Sequence, residues 1–391
     1  MKKVVKSIFN FIRKEVVFSI ALVMAVVSMF LVPPDKNYIH YIDYKVIVLL
    51  FCLMAVVAGM QKLGVFTLLG RKLTVCVSNR KYLNLILVLL CFFSSMLITN
   101  DVALITFVPF TIVIFAGIND EAALIKLIVL ETIAANVGSV LTPIGNPQNL
   151  YLYSLSKMGV SHFVMCMLPI AGVSLIVLVI LTLVTGNTKV GRGVASPEDE
   201  RITKSSMDPK EAGVGKILSL RFWVYFALFV VCLLNVFHLI PYYIVLLVVV
   251  AGIIVTDYKL LLKVDYILLL TFVCFFVFVG NIKAIESVST FLKGIVEGRE
   301  VLTGVIVSQG ISNVPAAMLL SGFTDKYEAL LYGTNIGGLG TLIASMASLI
   351  SYKFYSQRKT AQKGKYMLVF TVYNVMLLFI LLAVAKWRNV L

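Results

Sequence analysis

Charged residues are scarce in this 391-residue chain. They make up 14% of it, whereas 60% of the residues are hydrophobic and the mean hydropathy is +1.00. Because apolar runs of about 18 residues or more recur along the sequence, this composition excludes a soluble domain. A strict apolar–polar alternation is also missing, which excludes a membrane β-barrel. The sequence therefore predicts an all-α polytopic membrane protein whose first partner is the lipid bilayer.

Metal-binding, redox and nucleotide-binding motifs are missing too. The six cysteines are scattered without a CxxC pair, and the three histidines lie near predicted span ends without ligand spacing. Cysteines inside apolar spans are typically small packing residues. The chain also lacks a GxxxxGK[ST] phosphate-binding loop. We therefore predict no cofactor and no enzymatic activity, and any ion involved would be a coupling sodium ion or proton.

Acidic residues are few, 19 against 34 Lys and Arg, which gives a formal net charge of +15. The basic residues lie between spans and do not form an aromatic-interleaved face, so nucleic-acid binding is not predicted. If the N-terminus is cytoplasmic, 25 of the 34 Lys and Arg residues fall in inside loops. Under the positive-inside rule, this asymmetry predicts a multi-pass inner-membrane protein with a cytoplasmic N-terminus.

Polar residues and glycines do interrupt the apolar sequence at two places, residues 134–150 and 333–340. Broken backbone at membrane depth survives only when it is buried in protein or lines a cavity. Transporters commonly build binding sites from such discontinuous helices. Each break follows an apolar hairpin with a polar tip, Thr99-Asn100-Asp101 in the first half and Ser312-Asn313 in the second.

The two halves also align with each other. Residues 135–138 match residues 334–337 at an offset of 199, and residues 99–100 match 312–313 at an offset of 213. This pattern predicts an internal repeat. Three spans separate the corresponding connectors, so the repeats should be inverted.

The length of the second hairpin indicates how it sits in the bilayer. Its first arm, from residue 301 to residue 312, would extend about 18 Å as a helix, which is too short to cross a hydrocarbon core of about 30 Å. We therefore predict a re-entrant hairpin, and the repeat extends that prediction to the first hairpin.

The predicted segments are N-terminal scaffold helices (1–81), a first transport unit of hairpin plus broken helix (82–160), a transmembrane helix (161–185), a cytoplasmic linker (186–218), second scaffold helices with an amphipathic connector at 281–300 (219–300), a second transport unit (301–352), and a cytoplasmic loop with a last transmembrane helix (353–391).

The candidate binding residues carry amide or hydroxyl groups, or are glycines that expose backbone. Unwound carbonyls and side-chain oxygens can bind a small cation, and half-helix N-termini can face an anion. Helix capping and close glycine packing are the alternative roles. The candidates at the tips and breaks are Thr99, Asn100, Asp101, Asn136, Gly138, Thr142, Gly145, Asn146, Ser312, Asn313, Asn335, Gly337 and Thr341, with Asn100, Asn136, Asn313 and Asn335 as sodium ligands.

Two carboxylates lie within predicted spans. Asp101 is at the first tip and Glu131 is inside the first broken helix. An intramembrane carboxylate is costly, so each is a candidate proton or cation site. The alternative for Glu131 is a structural ion pair with Lys126. No Lys or Arg lies in either tip or break, so an anionic substrate would depend on helix dipoles and co-bound cations.

Three runs carry a family resemblance: residues 99–104 (TNDVAL), residues 136–147 (NVGS with TPIGNP) and residues 312–316 (SNVPA). Together they resemble the ion transporter superfamily, which includes arsenite permeases, sodium–proton antiporters, citrate transporters and divalent-anion–sodium symporters. The resemblance covers nearly the whole chain. It implies two inverted repeats, a scaffold and a transport domain, elevator-type alternating access, a homodimer, and a site between the two tips and the two breaks.

The first tip departs from the sodium-coupled dicarboxylate branch, which has Ser-Asn-Thr at both tips. Here Asp101 ends the first tip and Val314 the second, and the acidic first tip resembles that of the arsenite-permease and antiporter branch. We predict an ion-coupled symporter of a small anion, either a carboxylate such as citrate or an inorganic anion. Arsenite efflux and sodium–proton antiport are the alternatives within the superfamily. Outside it, a channel would need a continuous polar pore, and a receptor-like membrane protein would bind partners without transport.

Overall fold

The computed structural model describes residues 15–65, 79–115, 120–184 and 220–391. These parts form an all-helical membrane protein, and seven of their helices are long and apolar enough to cross a bilayer. The predicted cytoplasmic linker at 186–218 lies outside the described residues, as do the basic N-terminal residues 1–14. The helices of the described parts are α1 Val16–Leu31, α2 Tyr38–Tyr41, α3 Tyr44–Lys62, α4 Arg80–Ile98, α5 Asn100–Phe115, α6 Glu121–Gly138, α7 Pro147–Ser156, α8 Val160–Val184, α9 Leu220–Val236, α10 Tyr242–Asp257, α11 Tyr266–Ala284, α12 Glu286–Val296, α13 Glu300–Ile311, α14 Asn313–Leu320, α15 Tyr327–Gly337, α16 Met346–Ser356 and α17 Lys363–Trp387.

Aspartates begin three of the long helices. The side chains of Asp43, Asp120 and Asp265 accept hydrogen bonds from the backbone N–H groups of the first turns of α3, α6 and α11. An N-cap of this kind satisfies one otherwise unpaired amide and complements the positive end of the helix dipole. The few acidic residues of this chain thus fix where its spans begin.

The helices pack in two groups. In the first, α11 packs along α1, while α3 contacts α9 and α10. In the second, each hairpin packs against the broken helix that follows it, α4 against α6 and α13 against α15, and α8 and α17 cover them. The α6 segment is the most enclosed of the candidate spans, with 89% of its most apolar stretch buried, against 22–56% for the others. The second group therefore places the polar breaks in the interior of the protein.

The hairpin tips lie where the sequence predicts them, whereas the second break, predicted at 333–340, lies at 338–345 because α15 continues to Gly337. Helix α4 ends at Ile98 and α5 begins at Asn100, whereas α13 ends at Ile311 and α14 begins at Asn313. A single residue therefore makes each tip. Helices α13 and α14 have 12 and 8 residues, about 18 and 12 Å of helix, which is shorter than a hydrocarbon core of about 30 Å.

The amphipathic connector begins later than predicted. The sequence places it at 281–300, but α11 continues to Ala284, and the connector helix is α12, Glu286–Val296. Asn281 is fully buried, and its amide nitrogen donates to Ser28 Oγ (2.9 Å) and Tyr38 Oη (2.8 Å). Because these partners satisfy the Asn281 side chain inside the protein, α11 can continue past this residue.

Candidate functional site

Both hairpin tips have the same unusual backbone. Thr99 has φ 70° and ψ 152°, and Ser312 has φ 77° and ψ 155°. This region of φ/ψ space is essentially restricted to glycine, and a residue held there costs about 1–3 kcal/mol. Strain of this kind is kept only where the surrounding structure fixes it, and it concentrates at binding sites and switches. Two tips with the same strain therefore mark the tips as candidate functional positions.

Each tip is bonded to the break that faces it. The backbone N–H of Asn100 donates to the Gly145 carbonyl (3.1 Å), and that of Asn313 donates to the Ala344 carbonyl (2.9 Å). Gly145 and Ala344 are themselves separated by the offset of 199. The second half thus repeats the tip-to-break contact of the first.

Threonines in the breaks make a second matching contact. Thr142 Oγ1 donates to the Met96 carbonyl (2.5 Å) at the end of α4, and Thr341 Oγ1 donates to the Gln309 carbonyl (3.2 Å) near the end of α13. Thr142, Gly145 and Thr341, all predicted as binding residues, therefore hold each break against its own hairpin.

Glycines let the broken helices approach the hairpins. A Cβ atom on Gly138 would lie 2.2 Å from the Phe92 carbonyl oxygen, and one on Gly337 would lie 2.7 Å from Ser308 Oγ. Both distances are shorter than any van der Waals contact. Gly138 and Gly337 thus allow close helix packing, which brings each break near its hairpin tip.

Asn136 is the centre of the polar contacts in the first half. Its Oδ1 accepts from Asn100 Nδ2 (3.2 Å) and from Ser345 Oγ (3.0 Å), and its Nδ2 donates to Ser348 Oγ (3.2 Å). The two serines belong to the second break and the start of α16. Asn136 therefore joins its own hairpin tip to the other half of the chain.

Asn335 occupies the matching position in the second half. Its Nδ2 donates to Asn149 Oδ1 (2.7 Å), and its Oδ1 accepts from Asn146 Nδ2 (3.3 Å). The exchange is reciprocal, because Asn146 and Asn149 correspond to Ser345 and Ser348 at the offset of 199. Reciprocal contacts of this kind are typical of two units related by a two-fold axis. We call the following residues the amide cluster: Asn100, Asn136, Asn146, Asn149, Asn335, Ser345 and Ser348.

The amide cluster is buried, with exposed fractions of 0–8% for its members. Three of these residues, Asn149, Ser345 and Ser348, were not among the predicted site residues. Adding 199 to Asn146 and Asn149 would have pointed to the two serines. The sequence carries no signal for which residue of one half contacts which residue of the other.

The remaining predicted residues lie at the tips but outside the cluster's hydrogen bonds. Asp101 is half-buried in the first turn of α5, and among the described residues no hydrogen bond joins its carboxylate to the amide cluster. Asn313 accepts a weak hydrogen bond from Ser312 Oγ (3.4 Å) and packs near Gly338. Within the described parts, its Nδ2 donates to no protein group, so this amide is free to donate to a ligand.

The alternative role of Glu131, a structural ion pair with Lys126, is not found in the described parts of the structure. Glu131 is fully buried, and its Oε1 accepts a hydrogen bond from Thr111 Oγ1 on α5. No ion pair reaches Lys126 in the part of the chain that the structure describes. Glu131 and Lys126 are five residues apart on α6, so the helix turns them onto different faces.

Glycine at the tips is expected to raise thermal stability and lower transport. Thr99→Gly and Ser312→Gly relieve a backbone strain of about 1–3 kcal/mol, against a smaller entropic cost of glycine of about 0.5–1 kcal/mol. Transport should fall because a flexible tip no longer holds the following asparagine in place. Melting temperature in detergent and uptake into proteoliposomes measure the two effects.

The control for this prediction is Gln357→Gly, because the exposed Gln357 follows α16 at φ −76°, where a side chain causes no strain. Glycine there should lower stability slightly. If Thr99→Gly and Ser312→Gly lower it equally, the tips are not strained.

Comparison with known proteins agrees with the membrane-transporter architecture. The citrate transporter family (CitMHS) matches residues 5–325. An uncharacterized transporter of Methanocaldococcus jannaschii is 32% identical over 351 residues, which cover 89% of this chain and 90% of the relative. The inner membrane protein YbiR of Escherichia coli is 30% identical over 349 residues, 88% of each chain. The silicon efflux transporter LSI3 of rice is 32% identical over 174 residues, 44% of this chain and 35% of the relative.

The family match covers the first transport unit and the second hairpin, and the family and relatives named as transporters indicate transport, not enzymatic catalysis. The resemblance to the ion transporter superfamily is thereby confirmed at the level of the family. This polytopic membrane chain belongs to the citrate transporter family.

Proposed function

We propose that the protein is an ion-coupled secondary transporter that moves a small anion, a carboxylate or an inorganic anion, across the inner membrane. The observation that carries this proposal is the amide cluster, in which each half supplies polar groups to the other beneath two strained hairpin tips. Sites built where two repeats meet at broken helices are typical of secondary transporters.

The two tips differ in charge, which favours a cation at one and an anion at the other. Helix α5 carries Asp101 in its first turn, and Asn100 Oδ1 accepts the Asp101 N–H (3.0 Å). Helix α14 has no acidic residue in its first turn, and Ser312 makes no side-chain cap to it. Its N-terminal amides and the free Asn313 amide are donors that suit an anion, while the Asp101 carboxylate suits a sodium ion or a proton.

Alternating access would follow from movement of the second helix group, α4–α8 with α13–α17, against the first. The matched tip-to-break contacts and the reciprocal cluster support two inverted repeats and an elevator mechanism. The inner-membrane relative supports the same location, and the loop charges favour a cytoplasmic N-terminus. A homodimer would anchor the first group.

A second candidate is efflux of an uncharged inorganic oxyacid, such as the acid form of arsenite. The described hydrogen bonds of the amide cluster come from Asn and Ser only, with no Lys or Arg. Such a site can bind hydroxyl groups without neutralising a charge. The rice relative, named as a silicon efflux transporter, favours an inorganic substrate.

The proposal predicts that one anion stabilises the protein only when sodium or protons accompany it. A ligand at 100 times its Kd raises the stability of the folded state by about 2.7 kcal/mol. Asp101→Asn should abolish the cation dependence, because the tip then lacks its carboxylate. The measurement is melting temperature across carboxylates, inorganic oxyanions and arsenite, in sodium or choline buffers at two pH values, followed by uptake into proteoliposomes.

The control is Asp325→Asn, which removes an exposed carboxylate from the α14–α15 loop. It should behave as wild type. Stabilisation by sodium alone, in competition with protons, would contradict anion symport and support antiport. Stabilisation by arsenite without any cation would favour the second candidate.

A further inference from the structure

Glu131 is a buried carboxyl that lies apart from the amide cluster. It precedes Asn136 by five residues on α6, a separation of about 7.5 Å along the axis. Its side chain is fully buried. Burying an ionised carboxylate without a partner is far more costly than burying a neutral carboxylic acid. The environment of Glu131 therefore decides which form it takes.

No positive charge faces Glu131 from the described residues around it. Thr111 on α5 donates to Oε1, and Oε2 has no hydrogen-bond partner. The titratable groups facing it are the Cys91 thiol from α4 and the Tyr366 hydroxyl from α17. Helices α8 and α16 also pack on α6, and neither presents a described charged group to the carboxyl. A buried polar atom without a partner is rare in native structures and calls for an explanation.

We propose that Glu131, held by Thr111, is a proton-carrying site linked through α6 to the amide cluster. A proton fits better than a metal ion, because hard cations need several oxygen ligands and few oxygens are present here. The role in coupling rests on the proposed transport function, whereas the presence of the proton does not.

The step is a simple proton transfer. Oε2 takes up one proton from water to give a neutral carboxylic acid, and the same proton leaves when Oε2 becomes hydrated. Release requires α6 to move relative to α5 or α17, since Oε2 is enclosed in the present packing. Because Asn136 lies on the same helix, a movement that exposes Glu131 also shifts the centre of the amide cluster.

The test compares wild type with Glu131→Gln without any substrate. We expect the melting temperature of wild type to fall as pH rises above about 4.3, where the carboxyl of the unfolded chain begins to ionise, and to level off once the folded carboxyl has also ionised, because ionising it is costly in the folded state and cheap in the unfolded state. Glu131→Gln should lack that part of the pH dependence. Infrared spectroscopy at neutral pH should show the carbonyl band of a protonated carboxyl in wild type and its loss in the variant.

A second pair of variants tests the site if Glu131→Gln does not fold. Thr111→Val removes the hydroxyl that holds Oε1, and should shift the carboxyl band. Thr106→Val, on the same helix, removes a buried hydroxyl that bonds only to the Val102 carbonyl (2.8 Å), and should leave the band unchanged.

Each contrary result has a clear meaning. Identical pH profiles and bands in wild type and Glu131→Gln would overturn the proton site. Sodium-dependent stabilisation lost in Glu131→Gln would overturn it in favour of a cation site. If the band is present but the pH dependence of uptake is the same in both proteins, the coupling role is overturned. None of the substrate-free results depends on the anion panel, so failure of the proposed transport function would be seen separately.

Discussion

Gly138→Ala is expected to destabilise the protein by at least about 3 kcal/mol and to abolish transport. The new methyl group would lie 2.2 Å from the Phe92 carbonyl oxygen and 2.7 Å from Ser95 Oγ. A carbonyl of α4 cannot rotate away without breaking the helix, so α4 or α6 must move. Because Asn100 follows α4 and Asn136 lies on α6, that movement also separates their amides. Thermal unfolding in detergent and ligand-induced stabilisation measure both effects.

Two further glycines give matched controls for this prediction. Gly172 lies within α8, and no atom lies within 4 Å of the position that its Cβ would take, so Gly172→Ala should be neutral or stabilise by up to about 1 kcal/mol. Gly337→Ala should cost less than Gly138→Ala, since its closest atoms, Ser308 Oγ at 2.7 Å, Ser308 Cβ at 2.8 Å and the Gly304 carbonyl oxygen at 3.0 Å, lie farther away than the Phe92 carbonyl oxygen at 2.2 Å from Gly138. Equal effects at all three positions would show that close packing does not set the position of α6.

Asn335→Ala is expected to cost about 2–4 kcal/mol and to remove ligand-induced stabilisation. The substitution leaves the buried amides of Asn146 and Asn149 without their partner in the second half, and each unsatisfied group costs about 1–3 kcal/mol. Asn149→Ala should also destabilise the protein, because it breaks the same 2.7 Å hydrogen bond that Asn335→Ala breaks. A double-mutant cycle with Asn149→Ala should therefore show strong non-additivity.

The control is Asn374→Ala on α17. Asn374 is also fully buried, but its Nδ2 donates only to the Phe370 carbonyl of its own helix (2.8 Å). Its loss should leave ligand-induced stabilisation intact. Additive effects of Asn335→Ala and Asn149→Ala would mean that the two halves are not coupled through these amides.

The sequence predicts the elements of this fold well, because strong local signals define them. Apolar run length places the spans, and polar or glycine residues inside those runs place the tips at Thr99 and Ser312. They place the breaks at 134–150 and 333–340, within about five residues of the observed interruptions of the α-helices at 139–146 and 338–345. Matching offsets of 199 and 213 also pair the residues that make equivalent contacts in the two halves. The signals for the spans, tips and breaks are each carried within a short stretch of chain.

Contacts between distant segments could not be predicted in this way. The only partner that the sequence suggested for Glu131 was nearby Lys126, as an alternative to a functional role, whereas its hydrogen-bond partner is Thr111, 20 residues away on another helix. It placed Asn281 in a connector, although Ser28 and Tyr38 satisfy that amide inside the protein. In both cases tertiary packing supplies a polar partner that local sequence does not reveal.

The reciprocal hydrogen bonds of Asn136 and Asn335 have an evolutionary consequence. If the halves arose by duplication, each copy kept an asparagine whose partners reside in the other copy. Those partners have since diverged, to Asn146 and Asn149 in one half and to Ser345 and Ser348 in the other. A substitution at either asparagine therefore alters the hydrogen bonds of residues about 190–210 positions away, so a constraint on one half is also a constraint on the other.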